Sequence, residues 1–516
     1  MSLIAIALKS IKQRGLASSL TALSVALGVG LLVCVLLIHS IVSGMFNQSA
    51  SGYDLIVGPK GSGLQLVLNT VYRLSQPIEN LPYKFYQELK QDKRIAAAVP
   101  FALGDVSQQG SFPIVGTLSD YFLLEYAPGK NFQVTKNSQQ MTHPFDAVIG
   151  SRVAKVNGWE IGTELQLVHG GADSDDIHEE KFRIVAILQP TGTPNDRTVF
   201  VNLEGFFLVQ GHEKPLDEAL QRIADFEGER IDEAELINRM AAMFQKYEHL
   251  LVEQEPIIQK YPAILVMHPD LFQDHPDIAA RIIQNNPDLL EAHPKLKTRF
   301  AKTLENTQPE SEEGHAHEQH ERHVTPDEQK EVTAILVRMN EGSRAGTRAL
   351  RAIQLKSELQ EGLRAQGVNP VTQINWLMTN LVGNIRTMLL VMTILIVVVS
   401  GVGIFVSIYN SMADRRREIA IMRALGASRG TVFSIILTES ILLCLGGGIL
   451  GMMLGHGLVL VGSPFLEART GILLNPWVFE TLELILIPIL LGLASLVGFI
   501  PAMTAYRTDV AETLSD

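Results

Sequence analysis

Apolar residues gather into four long runs, roughly Leu16–Phe46, Met388–Tyr409, Thr431–Val461 and Leu482–Phe499. A bilayer is crossed by about 20 apolar residues, so each run predicts a membrane span. Between the first and second runs the pattern changes. Short β-branched stretches bounded by turn residues predict strands at Tyr53–Val57, Ala96–Pro100, Val115–Gly116, Ala147–Ile149, Leu165–Val168, Arg183–Leu188, Thr198–Val201 and Val332–Val337. Pro82–Lys90 and Arg344–Gln366 read as helices. The region Phe206–Asp327 is acidic and helical in pattern. The fold class expected is a membrane protein: four transmembrane α-helices plus a large extracytoplasmic α+β domain carrying a helical insertion.

Basic residues orient the spans. Lys9, Lys12 and Arg14, then Arg415, Arg416 and Arg417, then Arg507 all fall on one side of a four-span chain, the cytoplasmic side by the positive-inside bias. The chain then divides into a cytoplasmic N-terminus (1–15), a first span (16–46), a first part of the outer core domain (47–205), the His/Pro-repeat insertion (206–327), a last part of the core with a stalk (328–385), a second span (386–410), a cytoplasmic coupling helix (411–430), a third span (431–461), an outer loop (462–480), a fourth span (481–502) and a cytoplasmic C-terminus (503–516). The first run is too long for the apolar core of a signal peptide, so a retained span is expected. Ala22, Ala26 and Gly30 form a four-spaced small-residue stripe, and Gly447, Gly451 and Gly455 form another, both suited to close helix packing. Glu439 lies within the third span, where a carboxylate is costly and faces protein or water; an arginine of the coupling loop, a helix terminus or lipid headgroups are its expected surroundings.

With 46% hydrophobic and 19% charged residues over 516 positions, the chain mixes membrane and soluble parts, and its net charge of −12 argues against nucleic acid as a partner. Both cysteines, Cys34 and Cys444, fall inside spans, so the extracytoplasmic domain must stand without a disulfide. GPKGSG lacks the Gly-Lys-Ser/Thr of a phosphate loop and no Walker motif occurs, so ATP hydrolysis by this chain is not expected.

Two tracts carry candidate metal chemistry. In the insertion, His315, His317, His320 and His323 stand among Glu312, Glu313, Glu318 and Glu321; imidazole with carboxylate suits zinc, nickel or copper, and a solvated polar loop is the alternative. Upstream, His169 and His178 flank Asp173, Asp175 and Asp176, which reads as a second metal tract or as an acidic hairpin loop. Before the first tract, a proline recurs in EPII, YPAI, HPDL, HPDI, NPDL and HPKL, starting at Glu255, Tyr261, His268, His275, Asn286 and His293. Proline suits a first helical turn and the preceding His or Asn can sit in the cap, so a string of short restarted helices is expected.

The segment between the second and third spans is the most informative. DRRREIAIMRALGASRG (Asp414–Gly430) is basic and has helical spacing: Ile421, Met422 and Leu425 can share one face with Arg416 and Arg423 opposite, and Glu418 blurs the apolar side. The residues alone fit either a solvated loop that only sets topology or a docking peg for a soluble partner.

REIAIMRALGASRGTVFSIILTESILL resembles the signature of the FtsX/MacB-like permeases, membrane subunits of ABC systems. The resemblance runs from Met388 to PAMTAYRTDVAETL (Pro501–Leu514), where Val510 stands in place of the family's usual second proline. It extends to the N-terminus and Gly52–Asn69 but does not cover Phe206–Asp327. It implies a bacterial inner-membrane permease with a periplasmic core domain, paired with a second permease copy or a homologous permease, and contacting membrane lipid and a periplasmic or outer-membrane partner. A separate ABC ATPase, which holds the ATP, would dock on Arg415, Arg416, Arg417, Glu418, Ile419, Ile421, Met422, Arg423, Leu425 and Gly426. Its hydrolysis would move the periplasmic domain to export or extract a lipoprotein, peptide or other envelope substrate. The His tracts leave open a zinc-linked transport component or a metal-sensing scaffold.

Overall fold

A computed structural model describes residues 3–48, 52–169 apart from 75 and 78, 177–300, 323–342, 346–414, 416–470, 479 and 481–507. The chain divides into two compact units, Met1–Asn47 with Ile374–Asp516, and Gln48–Gln373.

The first unit is a helical bundle. Its elements are α1 (Leu3–Gln13), α2 (Gly15–Gln48), α3 (Gly383–Asp414), α4 (Arg416–Ala424), α5 (Arg429–Thr470) and α6 (Thr481–Arg507). Among the described residues, four helical stretches are long and apolar enough to cross a membrane: Ser18–Ser40, Pro370–Asn410, Arg429–Phe465 and Glu483–Arg507. Lipid tails are as apolar as leucine, so burial alone does not hold such helices together; close packing does. Helix α5 meets α2 along its glycines. A Cβ added at Gly447, Gly451 or Gly455 would lie 2.8, 2.7 or 2.9 Å from the carbonyl oxygens of Ala22, Ala26 and Gly30. Val25, Val29, Val33, Ile404, Cys444, Leu490 and Ala494 fill the bundle core.

The second unit is built on a nine-stranded sheet. Its strands are β1 (Leu55–Gly58), β2 (Ile95–Ser107), β3 (Pro113–Thr117), β4 (Asp146–Ile149), β5 (Glu164–Val168), β6 (Ile177–Ile187), β7 (Val199–Asn202), β8 (Ala334–Met339) and β9 (Gln366–Val368). They run in the order β9-β1-β8-β2-β3-β7-β4-β6-β5, and β5 pairs again with β2, closing six strands into a ring. Strand β2 makes this closure possible. Residues from Ile95 to Phe101 pair with β8, whereas Val106 and Ser107 pair with β5 (Val106 opposite Val168). The handover falls at a bulge between Leu103 and Val106, where Gly104 has φ +145°. Bulges bend a strand and re-aim its side chains, and Asp105 is the residue re-aimed here. Phe182, Ile184, Val199, Val201, Ile114 and Ile149 form the centre of the core.

The helical insertion has its own core, from Leu216 and Leu236 through Phe244, Ile264 and Phe272 to Leu296 and Phe300. The prolines open short helices: Pro256, Pro269, Pro276 and Pro294 sit in first turns, while Pro262 and Pro287 take the N-cap position. The residue before five of these prolines is held out of the helical region, as at His268 (φ −131°, ψ 60°), because the ring clashes with a helical predecessor, whereas Glu255 before Pro256 is the first residue of its helix. His268, His275 and His293 take the N-cap position as expected, although their side chains make no cap bond. Their backbone turns the imidazoles away, and His268 Nε2 lies 2.8 Å from Asn238 Oδ1 while His275 lies 3.4 Å from Glu248.

Candidate functional site

Two places in the chain concentrate chemistry. The first is α4. Gly426 ends it with φ +100°, and its amide reaches the Arg423 carbonyl while that of Ala427 reaches Met422. Ser428 Oγ then accepts from the Thr431 amide and starts α5. On this helix Ile419 and Ala420 are buried and Met422 packs on the bundle core, whereas Ile421 is 46% and Leu425 84% exposed. The apolar face expected from spacing is therefore divided. Met422 faces inward with Ile419, and Ile421 and Leu425 face out, because the helix is pinned to its own bundle through Ile419. Arg416, Arg417 and Glu418 lie on the helical backbone, Arg423 and Gly426 follow towards its end, and Arg415 is outside the described residues.

Within the bundle, Glu439 is buried and accepts from Ser10 Oγ at 2.9 Å. That hydroxyl belongs to α1, which packs against α5. A second buried carboxylate escaped the sequence reading: Glu483 is 1% exposed, with Oε2 3.1 Å from His456 Nε2. An acid in the run TLELILIP was the available signal.

The second place is the ring of strands. His178 is the second residue of β6, which begins at Ile177, earlier than the strand expected from Arg183, and its position alternates with buried Glu180, Phe182 and Ile184. His178 is thus no loop residue but points inward. His169 directly follows β5; Asp173, Asp175 and Asp176 lie outside the described residues. Two partners that sequence reading missed complete the group. Asp105 comes from the bulge of β2, and His212 from the turn after helix Leu203–Phe207, next to Gly211 with φ +87°. Asp105 Oδ2 lies 2.9 Å from His212 Nε2 and 3.9 Å from His178 Nε2, and Oδ1 lies 3.2 Å from His169 Nδ1. The side chains of Asp105 and His212 are each 2% exposed and that of His169 is 54% exposed. Burial would depress His212, but the adjacent Asp105 carboxylate outweighs it and raises its pKa; burial and then the neighbouring His212 push His178 down. The signals in the sequence were weak: an acid after glycine in an apolar strand (FALGDV) and a histidine after glycine (QGHEK).

Of the other tract, His315, His317 and His320 lie outside the described residues, and the exposed His323 packs tilted against His249 with ring centroids 4.5 Å apart.

A bundle with four span-length helices among the described residues, joined in sequence to a large α+β unit, defines a multi-pass membrane protein. Residues 390–510 match the FtsX-like permease C-terminal domain and residues 18–230 the MacB-like periplasmic core domain. The chain belongs to the FtsX/MacB-like ABC permeases. It is 33% identical over 132 residues to the macrolide export ATP-binding/permease protein MacB of Chromobacterium violaceum, covering 25% of this chain and 19% of that one. It is 26% identical over 195 residues to the MacB of Burkholderia thailandensis, covering 36% and 28%. To the uncharacterized ABC transporter permease YknZ of Bacillus subtilis it is 32% identical over 151 residues, covering 29% and 34%. The chain thus spans between 19% and 34% of the length of these curated relatives. The periplasmic region of MacB from Actinobacillus actinomycetemcomitans superposes with a TM-score of 0.22 at 14% identity, over 33% of this chain and 72% of that one.

Proposed function

We propose that this chain is the permease subunit of an ABC transport system of the bacterial inner membrane, its large α+β unit on the periplasmic side, and that a separate ATPase docks on α4. ATP hydrolysis in that partner moves the spans and, through them, the periplasmic domain, which acts on an envelope substrate such as a lipoprotein or peptide. The observation that carries this reading is the division of α4. One face is anchored in the bundle by Ile419 and Met422, while Ile421 and, in the turn just after the helix, Leu425 are exposed. A loop serving only to set topology has no need of an exposed leucine beside a helix seated on its own bundle. A second copy of the chain would pair through α3, whose most apolar stretch is only 22% buried, against 56%, 50% and 33% in the other spans.

Leu425 is nearly free now, so its burial in an ATPase cleft contributes about 1.5–3 kcal/mol, whereas an exposed ion pair contributes about 0–1 kcal/mol. Leu425→Glu should abolish co-purification with the ATPase and stimulation of its activity, at unchanged membrane insertion and expression. Arg423→Ala should retain most of both. Wild-type coupling in Leu425→Glu and Ile421→Glu together would remove α4 as the docking site.

A further inference from the structure

We propose that Asp105, His169, His178 and His212 form a zinc site that ties the β5–β6 hairpin and strand β2 to the root of the helical insertion. The four offer one ligand atom each, all within 4.8 Å of one another. Tetrahedral zinc with bonds of about 2.0–2.1 Å needs ligand atoms about 3.3 Å apart, so small side-chain movements close the set. Three imidazole nitrogens and one carboxylate suit a borderline cation of the zinc class; calcium and magnesium require oxygen.

Three atoms of the group demand a partner. Asp105 Oδ2, His178 Nε2 and His212 Nε2 are buried and none makes an aligned hydrogen bond. Each such atom is costly in a folded interior, and here three point into the same small space. His212 makes the demand specific. Its Nδ1 lies 2.6 Å from the Phe206 carbonyl oxygen, which can only accept, so Nδ1 carries a proton and Nε2, 2.9 Å from Asp105 Oδ2, is the nitrogen left to face the carboxylate or an ion. Its ring is also held against Phe206, with centroids 4.2 Å apart. A backbone carbonyl fixing one imidazole nitrogen so that the other can ligate is the usual outer support of a metal-bound histidine. A second proton on His212 would satisfy that residue and Asp105 but leave His178 Nε2 unpaired; one divalent cation satisfies all three. The half-exposed His169 gives the ion a way in.

His212 stands just before Leu216–Glu227, the first helix of the insertion. A bound ion therefore fixes the point where the insertion leaves the ring of strands. This site is independent of ATPase docking, so either can fail without the other.

The test uses the full chain in detergent micelles, stripped with a chelator, with His315, His317, His320 and His323 replaced by alanine to silence the other tract. Titration with Co²⁺ should show one equivalent with the intense visible absorption of a tetrahedral site, displaced by Zn²⁺, and Zn²⁺ should raise the melting temperature. His169→Ala, at an exposed position, should fold normally without metal yet bind at least about 10–100-fold more weakly. His178→Ala with Asp105→Asn should bind nothing; where that pair does not fold, His169→Ala decides. No Co²⁺ equivalent in the background protein, or His169→Ala titrating as its parent, overturns the site.

Discussion

The glycine ridge of α5 yields a prediction whose sign differs between two chemically identical changes. At Gly451 an added Cβ would lie 2.6 Å from Val29 Cβ and 2.7 Å from the Ala26 carbonyl oxygen. Carbon atoms rest at about 3.5–4.0 Å, so α2 and α5 must part by about 1 Å, and a gap of that size forfeits a quarter to a half of each dispersion contact along the seam. The carbonyl belongs to a helix backbone and cannot turn aside as a flexible side chain would. Overpacking of this kind costs about 1–3 kcal/mol, against which alanine returns about 1 kcal/mol of helix propensity. Gly457 lies on the same helix with nothing within 4 Å of its added Cβ, so alanine there meets no clash. Gly451→Ala should therefore lie about 1–3 kcal/mol below Gly457→Ala in stability, and Gly457→Ala should equal or exceed the wild type. The assay is unfolding of the chain in mixed micelles by increasing SDS, with the midpoints compared. If Gly451→Ala is as stable as Gly457→Ala, the helices do not pack along these glycines and the arrangement of α2 on α5 is wrong.

Further outcomes follow from the α+β unit. Arg94 bonds both Asp92 and Glu358, and these bonds hold both carboxyls below their usual range. Groups with depressed native pKa values stabilise the fold above their unfolded values, and the gain is lost as pH falls through the native ones. Arg94→Met should thus cost up to about 1 kcal/mol at neutral pH, since the cluster is partly exposed. The gap to wild type in urea midpoints should close towards pH 3; a gap that is constant with pH would assign Arg94 a packing role instead. Buried Asp196 accepts from the Thr191 amide and hydroxyl and the Gly192 amide. Asp196→Ala leaves the two amides unpaired, while the Thr191 hydroxyl keeps Thr193, and should destabilise by about 2–4 kcal/mol, read as an increase in protease cleavage of the α+β unit, and unchanged cleavage would show that water replaces the carboxylate.

What the sequence by itself determined is whatever rests on local pattern. Length and hydropathy decide that a stretch such as Arg429–Phe465 crosses a membrane, because every residue in a span meets the same apolar surroundings. Proline restarts such as Pro276 are equally local, since the ring constrains its immediate predecessor wherever it stands. The permease signature is likewise a continuous string. Tertiary structure alone decided which sides of these elements meet. Ile421 and Met422 are adjacent and similarly apolar, and only the seating of Ile419 in the bundle sends one outward and the other inward. Glu439 could be seen as costly, but its Ser10 partner is 429 residues away. The Asp105–His169–His178–His212 group is the clearest case. Two of its histidines stood in a visible tract, and among the described residues the acid that meets them is Asp105, from elsewhere in the chain. The carboxylate comes from a bulge on another strand, brought opposite His169 by closure of the ring, and the third imidazole from a turn beyond β7. Such convergence depends on register and strand order, which are set by the sum of many long-range pairings and leave no periodic trace in the residues that benefit from them.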